Sequence, residues 1–215
     1  MSDLIDRRLE ERERRRLDIL EAAEAVASVV GIEAMTMDQV ARKARLSRAL
    51  LYVYFKDKPD LLIGICLRAL RQLQQRFTDA CAAHARGLEQ VEACGRSYVA
   101  YAQAFPVRFD ALAHFEAHTP SGEHDPGYEE CLAAGETTQR VIATAIAQGM
   151  RDGSIRTELG SPVLLGLTLW GLMHGLIQLT VKKSGGLERE GVSGDQLIEQ
   201  GFRLALSALA PASGS

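Results

Sequence analysis

Residues 36–58, TMDQVARKARLSRALLYVYFKDK, constrain the fold of this chain more than any other stretch. Thr36 followed three residues later by Gln39 makes a capping box, in which the hydroxyl bonds a first-turn amide and the glutamine reaches back to the cap. The helix that starts there turns Val40 and Ala41 inward and runs only to about Ala44. Arg45-Leu46-Ser47 then forms a tight joint, and Ser47 caps a second short helix reaching about Tyr54. Two such helices on a three-residue joint form a helix-turn-helix. With Leu51 and Phe55 turned inward, the second helix exposes Ser47, Arg48, Leu50, Tyr52 and Val53. A cation, hydroxyls and flat rings suit phosphates and base edges.

The charge follows the same segment. Arg42, Lys43, Arg45, Arg48, Lys56 and Lys58 oppose only Asp38 and Asp57, a local +4 in a chain whose formal net charge is -3. Such concentration is the footprint of a polyanion binder, although a solvated helical hairpin can carry six cations too. No Walker loop, dinucleotide-binding glycine motif or nucleophile elbow competes with this reading, so no enzyme, cofactor or metal is expected. The enzyme alternative is a metal hydrolase on His114, Glu116 and His118, with His124 in the following loop. Its order is H-x-E-x-H, which points Glu116 away from the two histidines.

Elsewhere the apolar residues recur at helical spacing and no alternating strand pattern appears, so the expected class is all-α. The first sixteen residues, ending RRLEERERRR, are expected to fray; Arg12, Arg14, Arg15 and Arg16 are either a solvated helix end or an arm for a minor groove. A helix over 17–30 closes at Gly31. Asp57 caps a helix of about 25 residues ending near Ala83, which at 1.5 Å per residue spans roughly 38 Å and forms a lever. Helices follow over 88–105, 107–117, 128–150, 163–181 and 197–209. The four cysteines lie far apart without a C-x-x-C pair and no signal peptide is seen, so a reducing cytoplasm is expected, with the cysteines as small core residues.

Residues 163–181 carry no charge and meet the length of a membrane span, but His174, Gln178 and two threonines oppose that. Gly166, Gly171 and Gly175 near one face point instead to close approach by another helix. The expected subunit interface is Gly171 and Gly175 with Ile198, Phe202, Ala205 and Leu209. A ligand pocket, mostly apolar with few polar groups, is sought among Phe77, Tyr98, Tyr101, Phe105, Phe109, Trp170, His174 and Gln178.

The order Thr-x3-Val-Ala-x4-Leu-Ser-x3-Leu-Tyr-x-Tyr-Phe-x2-Lys-x2-Leu-Leu resembles the DNA-binding segment of the TetR family of transcriptional regulators. The resemblance implies a three-helix DNA-binding domain over residues 1–57 and a helical effector-binding and dimerisation domain over 58–215. It gives DNA contacts to Thr36, Ser47, Arg48, Tyr52 and Lys58. Arg45 stands where the family's turn usually has Gly, and Ala49-Leu50 where Gly-Thr is common. Arg45 must bear a left-handed strain of about 1–2 kcal/mol or shift the joint, and can recover some of it on a phosphate. Leu50 can sit against a thymine methyl. The resemblance further implies a homodimer through the last two helices and a pseudo-palindromic operator in double-stranded DNA, with reading helices about 34–36 Å apart or a multiple of it. A small-molecule effector would release this repressor. Trp170-x3-His174-Gly175 is similar to a subgroup named for its Trp, His and Gly. The alternative function is a helical carrier or adaptor that keeps the fold without specific DNA binding.

Overall fold

The computed structural model describes residues 2–117 and 125–211, and every regular element among them is helical. In chain order they are α1 (Ser2–Ala34), α2 (Met37–Lys43), α3 (Arg48–Tyr54), α4 (Lys58–Ala82), α5 (Gly87–Ala104), α6 (Pro106–Ala117) and α7 (Pro126–Asp152). A 3-10 turn (Thr157–Leu159) leads to α8 (Pro162–Lys182), α9 (Ser184–Arg189) and α10 (Gly194–Leu209). The chain divides into two compact units, Met1–Ala69 with Phe105–Leu132, and Leu70–Ala104 with Ala133–Ser215. α4 and α7 run continuously through both.

In the first unit, the segment expected to fray is helical: α1 starts at Ser2. Glu10 stands four residues before Arg14 and Glu11 four before Arg15, the orientation in which such pairs favour a helix. Gly31, at φ 82° and ψ 158°, breaks the helix as only glycine readily can. Ile19, Leu20, Ala23 and Ala27 of α1 pack on Val40 and Ala41, on Leu51 and Phe55, and on Leu61 and Ile65.

α3 has only seven residues, far too few to be helical alone in water. Three contacts hold it. The Leu50 amide donates to Ser47 Oγ at 3.1 Å. Leu51 and Phe55 are fully buried, each worth about 1.5–3 kcal/mol. Arg16 Nη1 donates to the Tyr54 carbonyl at 2.9 Å while its guanidinium lies 4.3 Å from the Phe55 ring centroid. A cation at a helix C-terminus complements its dipole, so Arg16 braces α3 and does not form part of a free arm.

The α2–α3 joint resolves the question posed by Arg45. Its amide donates to the Arg42 carbonyl at 3.2 Å and the Leu46 amide to the Ala41 carbonyl at 2.9 Å, the paired bonds of a Schellman motif. Arg45 occupies the left-handed position at φ 57°, the one non-glycine residue with positive φ among those described. The strain is borne and the joint is not displaced.

In the second unit, α5 begins where α7 ends. Asp152 Oδ2 accepts from the Gly87 amide at 2.9 Å, and Ser154 Oγ from the Leu88 amide at 3.1 Å. α10 lies against α8 and α5. Its inner face, Ile198, Phe202 and Leu209, is buried within the same chain. α8 is long and apolar enough to cross a membrane by length and composition. Its Gly166 meets Ile142 and Ile146, and His174 is buried, as in a packed bundle.

Candidate functional site

The outer surface of α2 and α3 carries the charge cluster. Thr36 closes the capping box: Gln39 N donates to its Oγ1 at 3.3 Å and its own amide donates to Gln39 Oε1 at 2.8 Å. Its hydroxyl also faces Gln39 Oε1 at 3.1 Å, so a phosphate must exchange for that bond. Ser47 accepts one amide and keeps its hydroxyl proton to donate. Leu50, Tyr52 and Val53 stand 41%, 39% and 65% exposed beside it.

Arg48 leans back on its own unit. Its Nε lies 3.2 Å from Asp38 Oδ1 and its Nη2 is 3.5 Å from the Tyr52 hydroxyl, a row crossing from α2 to α3. An ion pair this exposed is screened by water and contributes little, so a phosphate or guanine edge can displace Asp38. Lys58 Nζ donates to the Glu33 carbonyl at 2.5 Å, and Lys56 pairs with Asp125 at 2.9 Å. Arg42, Lys43 and Arg45 are exposed and have no ion pair among the described residues.

The N-terminal turns of α1, expected to fray or to form an arm, lie as ordered helix beside α3. Arg8, Glu11, Arg12 and Arg15 line one shallow groove with Leu50, Val53 and Tyr54 of α3. Arg12 and Arg15 thus extend the basic surface as part of a fixed helix. The cue was their spacing of three, which shares a helix face.

In the second unit, Phe77, Tyr98 and Trp170 line one apolar cleft with Cys94, Met173 and Phe202. Ala205, expected at a subunit interface, also lines it. At its edge runs a polar row: Tyr98 Oη lies 2.7 Å from His174 Nδ1, and Gln178 Nε2 lies 2.8 Å from His174 Nε2. Burial, with Lys182 nearby, lowers the His174 pKa and keeps the ring neutral near pH 7. Tyr101 is fully buried beneath Arg76, whose guanidinium is 5.6 Å from the ring centroid. Phe105 and Phe109 belong to the first unit, where Arg108 covers the Phe105 ring at 4.6 Å. His118 and His124 lie outside the described residues, as does the Glu116 side chain.

The surface left open on α8 includes the two glycines of the expected interface. Gly171 and Gly175 are exposed with open space around them. Leu164, Leu167, Leu172 and Leu179 flank them, and Leu204 of α10 is 61% exposed. Helical spacing alone could not say which side of α10 its own chain would cover.

The family model described as "Bacterial regulatory proteins, tetR family" matches residues 19–65, and "Tetracyclin repressor-like, C-terminal domain" matches residues 91–204. The chain is similar to the HTH-type transcriptional regulator BetI of Cronobacter sakazakii (strain ATCC BAA-894), 36% identical over 76 residues, 35% of this chain and 36% of that protein. It spans about a third of the length of the curated relatives it matches. A protein of unknown function from Rhodococcus sp. RHA1 shares the fold at TM-score 0.72 and 19% identity, over 92% of this chain and 95% of that one. The fatty acid degradation regulator FadR from Bacillus halodurans does so at TM-score 0.72 and 15% identity, over 91% and 96%. A reading helix held outward by Leu51 and Phe55, joined to a matched C-terminal domain that takes up over half the sequence, makes this chain a member of the TetR family and a DNA-binding transcriptional regulator.

Proposed function

We propose that this regulator is a cytoplasmic homodimeric repressor that leaves a pseudo-palindromic operator when a small apolar molecule enters the second unit. The supporting observation is the exposed row Ser47, Arg48, Leu50 and Tyr52 on a helix whose other face is fully buried. In this reading Arg48 exchanges Asp38 for a base edge or phosphate. Ser47, Thr36 and Tyr52 hold the backbone, Leu50 meets a thymine methyl, and Arg45 and Lys58 reach phosphates. Arg12 and Arg15 add electrostatic attraction from α1.

The dimer uses the open α8 face around Gly171 and Gly175 with Leu204, a larger apolar strip than scattered surface leucines would give. Phe77, Tyr98 and Trp170 supply the cleft's apolar wall, and Tyr98-His174-Gln178 its polar handle. An effector shifts DNA affinity by no more than its preference for the released state.

Selection of bound fragments from the source genome should return a single inverted repeat, and enrichment of no sequence would end the repressor reading. On that site, Arg48→Ala should lower affinity about 10- to 100-fold. Lys58→Ala should weaken all sequences alike and reduce the salt slope by about one. Arg45→Gly tests a separate point, since relieving φ 57° should raise stability by about 1 kcal/mol. It should also weaken DNA binding if the guanidinium meets a phosphate; unchanged binding would remove Arg45 from the interface.

A further inference from the structure

Cys81, one residue from the end of α4, and Cys94 of α5 bring their sulfurs to 3.4 Å. The other two cysteines, Cys66 and Cys131, are fully buried, and Cys131 Sγ faces the Ile63 carbonyl at 3.5 Å. The members of the pair differ in access. Cys94 is 1% exposed and lines the apolar cleft, whereas Cys81 is partly open to solvent. A disulfide bond measures about 2.05 Å, so closure requires a small approach, and Cys81 sits at a helix terminus where such a movement disturbs few backbone bonds. We infer that Cys81 and Cys94 form a hydroperoxide-reactive dithiol whose oxidised form is an intrachain disulfide at the wall of the cleft.

The pair's asymmetry assigns the roles. Cys94 Sγ has two acceptors within reach, Cys81 Sγ and the Phe77 carbonyl at 3.7 Å. When its proton turns to Cys81, that hydrogen bond pulls the Cys81 thiol below its ordinary value, while the same bond and burial push Cys94 up. Cys81 is therefore the attacking thiolate. It takes one oxygen of the hydroperoxide; the O–O bond breaks, hydroxide or alkoxide leaves, and Cys81 becomes a sulfenic acid. Cys94 then bonds to the Cys81 sulfur, and its proton leaves with the sulfenic hydroxyl as water. The two thiols supply two electrons, the hydroperoxide accepts them, and no further reductant enters. The new bond removes Cys94 Sγ from the cleft wall and ties the end of α4 to α5, so oxidation and ligand entry act on the same surface.

The test treats full-length protein with hydrogen peroxide in modest excess, then reads intact mass and a nonreducing peptide map. The expected product has lost two hydrogens, contains one cross-linked peptide joining Cys81 to Cys94, and reverts on reduction with dithiothreitol. Cys81→Ser, at the more open site, should keep its circular dichroism and lose the cross-link. A cross-link between two chains, oxygen added at Cys81 without a bond to Cys94, or four thiols still titratable after treatment would each overturn the inference. The wild-type map decides the matter even if a Cys94 variant fails to fold.

Discussion

Gly87→Ala should lower stability by about 3 kcal/mol or more, a fall of roughly 6–12 °C in Tm for a chain of this size. The substitution adds a single methyl, but the site has no room for one. A Cβ on Gly87 would lie 2.0 Å from Gly149 N, 2.3 Å from Gly149 Cα and 2.5 Å from the Ala145 carbonyl oxygen. All three are backbone atoms, so no side chain can swing aside and α5 must lift from α7. Lifting also breaks the Gly87 amide bond to Asp152. That carboxyl is held down to about 2, chiefly by the Ser154 hydroxyl and then by the Gly87 amide. Its folded pKa is depressed, so its contribution is complete above the ordinary carboxylate value of 3.8 and is lost as pH falls toward 2. Gly135→Ala is the control, because nothing lies within 4 Å of its added methyl; it should be neutral or add up to about 1 kcal/mol through helix propensity. Thermal melts followed by circular dichroism compare the two, and a Gly87→Ala melt within about 1 kcal/mol of wild type would show that α5 is not pinned there.

The sequence showed the helices because apolar spacing and caps are local signals. Thr36 with Gln39, Ser47 with Leu50 and Asp57 with Asp60 each act within one turn, and each bond is present. The burial of Leu51 and Phe55, and hence the outward face of α3, followed from their spacing. Contacts between distant segments leave no such mark. Arg16 meets Tyr54 across 38 positions and Lys58 meets Glu33 across 25, so a list of cations in order could not show which of them brace the protein. The same limit explains α10. Its apolar stripe was visible, but only packing reveals that α5 and α8 cover Ile198 and Phe202 and leave Leu204 outside. Phe105 and Phe109 were grouped with the cleft because they are aromatic, whereas the break after Ala104 carries them into the other unit.

Glu24→Ala should cost about 3 kcal/mol and remove DNA binding in proportion to the protein it unfolds. Glu24 lies on α1 between two guanidinium groups: Arg108 approaches through Nε at 3.0 Å and Nη2 at 2.9 Å, and Arg68 through Nη1 at 3.4 Å. Its side chain is 16% exposed and that of Arg108 10%, so the bidentate pair lacks the water that makes surface pairs nearly worthless. Alanine would leave two buried or half-buried cations facing each other across the lost carboxylate. Arg68 retains Glu21 at 2.9 Å, which places the cost at the lower end of the range for a broken buried pair. Glu24→Gln keeps an acceptor and should lose less. The decisive comparison is Glu24→Leu with Arg108→Met in one chain: apolar partners of similar volume avoid the desolvation of both charges and should recover most of the stability. Recovery there together with restored DNA binding would mean that α6 is needed as packing for the reading head, across a separation of 84 residues. Stability recovered without DNA binding would mean instead that the pair's geometry sets the angle at which α1 presents Arg12 and Arg15 beside α3.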